Sequence, residues 1–227
     1  PLKLTLRDMK PGPTPYICIS SEADLTLFSM FVDEGSLLDV EIENHDEVDY
    51  KCRYYEIAGT PHTDIICPVL TALAEIEKTG ERLPNLDEKL LHDLNDFPME
   101  YYICGLLEKL HVWATEGVAP TVFPVIKRAD GELQKDKYGN VLEGFRTPFT
   151  DVTIASYTAC NPEDPEGISG QMKFFRKNQV QAIYGSREEY LKTFRVTVAK
   201  QVQNGWVSKT DGDKMVSWAE EKSLEVF

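Results

Sequence analysis

Lys51-Cys52-Arg53-Tyr54-Tyr55-Glu56-Ile57-Ala58-Gly59-Thr60-Pro61-His62 decides the reading of this chain. Lys51 to Ile57 is rich in aromatic and branched residues and predicts a buried strand. Ala58 to His62 then supplies a glycine, a threonine and a proline, which close the strand in a sharp turn that delivers a histidine. Working backwards, Pro15-Tyr16-Ile17-Cys18-Ile19-Ser20 is a second short apolar run bounded by proline and polar residues. It predicts another buried strand, closed by Glu22-Ala23-Asp24. Both polar clusters fall just past strand C-terminal ends, the edge where ligands bind in open α/β sheets. The two strands are expected to be parallel neighbours, joined by a segment that contains the acidic run from Asp39 to Asp49.

Downstream, apolar residues at helical spacing predict helices over Pro68–Thr79, stopped by Gly80, over Glu88–Leu94, and over Phe97–Thr115. The last is the strongest, with Leu106, Leu110 and Trp113 as the stripe expected to face the sheet, Pro98 in its first turn and Gly117 at its end. From Val122 to Thr158 the pattern changes to short alternating runs around Asp130-Gly131-Glu132 and Tyr138-Gly139-Asn140, which predict one or two hairpins. Ser186-Arg187-Glu188-Glu189 fits a capping box that opens a helix bearing Tyr190, Leu191, Phe194, Val196 and Val198. A short final helix is expected near Asp213 to Lys222. The chain therefore divides into 1–66 (strands with the acid and histidine turns), 67–117 (helices), 118–160 (hairpins) and 161–227 (helical tail), all within one domain of α/β class.

Composition excludes some functions. With 38 acids against 24 bases the formal charge is −14, a field that repels phosphate backbones and argues against nucleic acid as a partner. No run of about 18 apolar residues exists, so no membrane span is expected. The acidic run itself predicts a solvated loop. Five cysteines, an odd number without a CxxC pair, are expected as buried thiols of a reducing compartment, which points to the cytoplasm. The chain begins with Pro1 and not Met, so a removed export signal stays open. Asp130, Asp136 and Asn140 lack the EF-hand spacing and are assigned to turns, and no metal or cofactor is expected. His45, His92 and His111 are expected at the surface or on helix faces, Asp64 as a helix cap, and the tryptophans Trp113, Trp206 and Trp218 in packing. Thr60 and Tyr55 are candidates to line a pocket.

Acyl transfer to water needs a nucleophile, a base and an acid that orients the base. His62 and either Asp24 or Glu22 supply the last two on strand-end turns, with Asp24 preferred because its spacing from the strand suits a turn better. More specific still, Arg53-Tyr54-Tyr55-Glu56-Ile57-Ala58-Gly59-Thr60-Pro61-His62-Thr63-Asp64 resembles the R-x-x-E-x-A-G-x-x-H-x-D stretch of a mostly bacterial α/β-hydrolase-domain family. Pro13 to Leu25 resembles that family's acid strand. Pro98, Trp113, Gly117 and Pro120, then Asn140, Arg146, Thr147, Pro148, Asp151 and Val152, then Tyr184-Gly185-Ser186 and Tyr190, resemble its later blocks. The resemblance implies the C-terminal part of an α/β-hydrolase fold, with His62 as triad base and Asp24 as acid.

One part of the pattern is missing. No Gly-x-Ser-x-Gly elbow occurs in the sequence. Ser169 lies in Gly167-Ile168-Ser169-Gly170 and Ser186 in a helix cap, and neither follows a strong buried strand. The resemblance places the serine upstream of the acid strand, so the nucleophile is expected from an upstream segment or a partner chain. Two functions follow. The first is part of a serine hydrolase acting on a small ester or amide, completed by a second chain or a missing N-terminal half. The second is a non-catalytic module kept for binding or assembly. An open sheet edge at the first strand is expected in both, and such an edge invites association.

Overall fold

β1 (Tyr16–Ser21) and β3 (Tyr50–Ile57) are parallel neighbours, paired from Tyr16 with Cys52 to Ser21 with Ile57. They are the centre of a computed structural model that describes residues 12–27, 43–62, 78, 94–159 and 170–227. Alternation along each strand sorts the side chains onto two faces. Ile17, Ile19, Tyr55 and Ile57 face the main core, whereas Cys18, Cys52, Tyr54 and Glu56 lie on the opposite face. Every residue from Cys52 to Ile57 is buried, which explains why this strand reads as a continuous run and not as an alternating one.

The acidic run corrects one expectation. His45–Glu47 is not a loop but a short strand, β2, antiparallel to β3, giving the sheet order β1-β3-β2. Its anchor is Arg53, 2 % exposed. The Arg53 guanidinium donates to Asp46 Oδ1 (2.5 Å), the His45 carbonyl (3.2 Å) and the Pro120 carbonyl (2.8 Å), and it stacks 4.9 Å from the Trp113 ring centroid. A buried cation is tolerated only with its donors satisfied, and Asp46 of the run serves that purpose. Glu43 and Glu47 stay exposed.

Helix α2 (Met99–Glu116) has Pro98 at its N-cap, one residue outside the first turn, and stops at Gly117, whose φ of 75° admits the left-handed cap. Tyr102, Leu106 and Trp113 are buried against the core; Leu110 is only half-buried. The expected helices over 68–79 and 88–94 lie outside the described residues, apart from Lys78 and from Leu94, which makes a β-bridge to Gln171. One expected hairpin is present: β4 (Arg128–Ala129) and β5 (Glu132–Leu133) turn through Asp130 and Gly131, both at positive φ. The Tyr138–Asn140 turn is closed by Asp136 Oδ1, which accepts from Tyr138 N–H (2.8 Å) and Asn140 N–H (3.0 Å).

Val152-Thr153-Ile154, a short run within the region expected to form hairpins, is not itself a strand. A single-turn helix α3 (Pro148–Asp151) precedes it, and β6 (Ala155–Thr158) pairs antiparallel with β7 (Gln171–Phe174). β7 is a strand within the segment expected as a helical tail; after α4 (Lys177–Tyr184), which fits that tail, α5 (Arg187–Gln203) begins at Ser186, whose Oγ accepts from Glu189 N–H. Val196 of this helix is exposed, not core. The last helix, α6 (Lys209–Val226), is longer than the expected Asp213–Lys222. Gly212 is where α6 meets α5: a Cβ there would fall 2.7 Å from Val202 Cγ2. Trp113 and Trp206 pack as expected, while Trp218 also donates to Asp96 Oδ2 at 2.8 Å. Cys52 is buried, but Cys104 is exposed on α2, against the expectation of buried thiols.

Candidate active site

The acid turn is a helix start. Glu22 and Asp24 do not sit in a loop after β1; they occupy the first turn of α1 (Glu22–Leu27). Ser21 caps it: Asp24 N–H donates to Ser21 Oγ (3.1 Å), and Ser21 N–H donates to Asp24 Oδ2 (2.8 Å). This is the reciprocal pattern of a capping box, with Asp24 three residues after its cap. One carboxylate oxygen is thereby fixed by the backbone, and the other is aimed outward. Asp24 Oδ1 lies 2.6 Å from His62 Nδ1. Both side chains are about a quarter exposed, at 23 % and 28 %, shielded enough for charge to count.

The turn that carries His62 is bonded on every side. Ala58 N–H donates to the Phe145 carbonyl (3.2 Å), and the Thr60 hydroxyl donates to the Ile57 carbonyl (2.6 Å). Glu22 N–H donates to Thr60 Oγ1 and Ala23 N–H to the Thr60 carbonyl, tying α1 to this turn. Gly59 has φ of 82°, and a Cβ on it would stand 2.9 Å from Thr150 Cγ2, so both conformation and space require glycine. Its N–H donates to Glu22 Oε2 (2.9 Å), and its carbonyl accepts from Asn95 Nδ2 (2.8 Å).

These bonds separate the two candidate acids. Asp24 meets the histidine, and Glu22, 1 % exposed, holds the Gly59 N–H instead. Burial pushes the Glu22 carboxyl up to about 7, partly offset by that N–H and by the charge of Lys135. Thr60 is fully buried in the turn, and Tyr55 donates its hydroxyl to the Thr121 carbonyl within the core. A half-open hollow of about 350 Å³ lies elsewhere, between Glu108, Val112, Val118 and Gly205, and shares no residue with the pair.

Several serines already have partners. Ser21, Ser186 and Ser208 cap helices, Ser20 accepts from the Tyr54 hydroxyl, and Ser223 accepts from Arg187. Ser169, Asp64 and His92 lie outside the described residues. His45 stacks on Tyr50 next to Glu47, and His111 is on an exposed face of α2.

The other residues of the sequence pattern serve the scaffold. Glu56, fully buried, accepts from Arg128 (2.5 Å), the Tyr54 hydroxyl (2.9 Å) and Ile126 N–H (2.8 Å). Asn140 bridges the Ala155 carbonyl and Tyr157 N–H, and Arg146 pairs with Asp151. Asn95 escaped the sequence reading because nothing local marks a residue that bonds 36 positions away. Ser21 carried a legible signal, the Ser-x-x-Asp spacing of the capping box. No curated protein and no solved structure matches the chain. A family model described as an alpha/beta hydrolase domain matches residues 7–217.

Proposed function

The chain belongs to the alpha/beta hydrolase domain family, and from that premise we propose that it carries the acid and base of a serine hydrolase. The observation that supports this reading is the Asp24–His62 contact at 2.6 Å, made from the ends of two adjacent parallel strands. In the proposed reaction a serine oxygen attacks the carbonyl carbon of a small ester or amide while His62 Nε2 takes the hydroxyl proton. Asp24 accepts from Nδ1–H, which fixes the tautomer and stabilises the imidazolium as it forms. The imidazolium then protonates the leaving group. Water, deprotonated by the same nitrogen, releases the acid product and frees the serine. An ester is the favoured substrate, because an alkoxide leaves with less help from a proton than an amine does.

The serine and the oxyanion donors are assigned to a segment or partner chain outside residues 1–227. The outer edge of β1, the terminal strand of the described sheet, is the place where further strands would join. No described helix is long and apolar enough to cross a membrane, and the thiols of Cys52 and Cys104 suit a cytoplasmic setting.

A fluorophosphonate probe tests the reading. It should label one serine in the assembled protein, mapping outside residues 1–227, and labelling should fade in the His62→Ala variant. Labelling of Ser169 or Ser186 would move the nucleophile into this chain. Unchanged labelling without His62 would favour a binding module over an enzyme.

A further inference from the structure

Glu22 is a buried ionisable group beside the His62 turn that the proposed mechanism leaves unused. Its side chain sits under the turn that carries His62, with Oε2 on the Gly59 N–H at 2.9 Å. Its own N–H holds Thr60 Oγ1 at 3.0 Å, and the next N–H, of Ala23, holds the Thr60 carbonyl at 3.2 Å. Three bonds therefore join the first turn of α1 to residues 59 and 60, while Asp24 on the same helical turn reaches His62. A glutamine would still accept the Gly59 N–H and cost less to bury than a carboxylate. An ionisable group at this place adds something that a neutral one does not: a charge that changes.

We propose that Glu22 is a positioning residue for His62, a buried carboxyl whose proton is felt at the imidazole through the Gly59–His62 turn and through its charge. The inference rests on His62 being the base, but its test requires no turnover. Among the described residues the charge of Lys135, on the segment after β5, acts on the Glu22 carboxyl; Asp24 shares its helix and bonds His62, three residues beyond Gly59. Burial brings the carboxyl up to about 7, so its proton exchanges in the neutral range. Ionised, it binds Gly59 N–H more strongly and adds a negative charge that favours the imidazolium. Protonated, it weakens both effects.

The experiment follows the His62 ring resonances of the chain against pH by NMR, assigned by their loss in His62→Gln. The wild-type curve should show two inflections, the ring's own and a second near neutrality. Glu22→Gln should remove the second inflection. Lys135→Met, at an exposed position, should keep both inflections and move the second upward. Identical curves for wild type and Glu22→Gln would overturn the proposal. If Glu22→Gln does not fold, a second inflection unmoved by Lys135→Met overturns it instead. Coupling seen by NMR while His62→Ala retains full ester turnover would leave the coupling standing and refute only the assignment of His62 as base.

Discussion

Asp24 and His62 are 38 residues apart in sequence, and their side chains meet at 2.6 Å because each is fixed at the end of one of two paired strands. The Asp24 carboxylate is divided: Oδ2 accepts from Ser21 N–H, and Oδ1 faces the imidazole. Structure and proposed catalysis thus draw on different atoms of one side chain.

Asp24→Asn separates those two uses. An asparagine can still cap α1, so the loss of stability should be about 1 kcal/mol or less. It cannot hold the imidazolium, and ester turnover should fall by about 10⁴-fold. Paired denaturant melts and kcat measurements check both halves; a variant that lost stability and activity in proportion would contradict the division.

Glu22 should give the fold a pH dependence of a definite sign. Its carboxyl is raised from 4.5 to about 7 in the folded protein, so between those values the native state binds more protons than the unfolded chain. Stability from this group is present in full below pH 4.5 and is lost as pH rises to about 7, by about 3 kcal/mol at most. Glu22→Gln should flatten that part of the profile, as urea melts across the range would reveal. An unaltered slope would mean that the carboxyl is not buried in solution.

Arg53→Met should destabilise the chain by about 3 kcal/mol. It strands Asp46 and the buried carbonyl of Pro120 and removes the stacking on Trp113. Arg53→Lys should recover little, because an ammonium cannot reproduce a planar fork directed at Asp46 and three backbone carbonyls. Thermal melts of the two variants decide; full rescue by lysine would show that charge alone matters here.

Gly59→Ala should cost about 1–3 kcal/mol, since alanine is strained at φ of 82° and its methyl would press on Thr150 Cγ2 at 2.9 Å. The same change should displace the turn and loosen the Asp24–His62 contact. A lost low-field Nδ1–H resonance in an otherwise folded variant is the expected sign.

Much of the site was legible in the sequence because it is local. A strand followed by Gly-Thr-Pro-His announces both the turn and the histidine, and a second strand followed by an acid announces its partner. The choice between Glu22 and Asp24 was not local: it depends on the helical phase of α1, which aims one carboxyl at His62 and the other at Gly59. The Ser21-x-x-Asp24 box contains that phase, but a six-residue helix has no periodic apolar stripe to reveal it. In the acidic run, charge density predicted solvent, whereas the decisive fact was Arg53, a buried cation on the neighbouring strand that needed Asp46. At Gly212 a general helix-breaking tendency of about 1 kcal/mol yields to close contact between α5 and α6, which no single-helix pattern contains.

The most direct test of the central claim is ester turnover by the protein with its serine-bearing segment or partner present, comparing wild type with His62→Ala. Loss of the base should lower kcat by three or more orders of magnitude, with KM and the melting temperature nearly unchanged because the ring is partly exposed. Turnover within a few-fold of wild type would contradict the account, and the Asp24–His62 pair would then be a structural contact in a protein with another function.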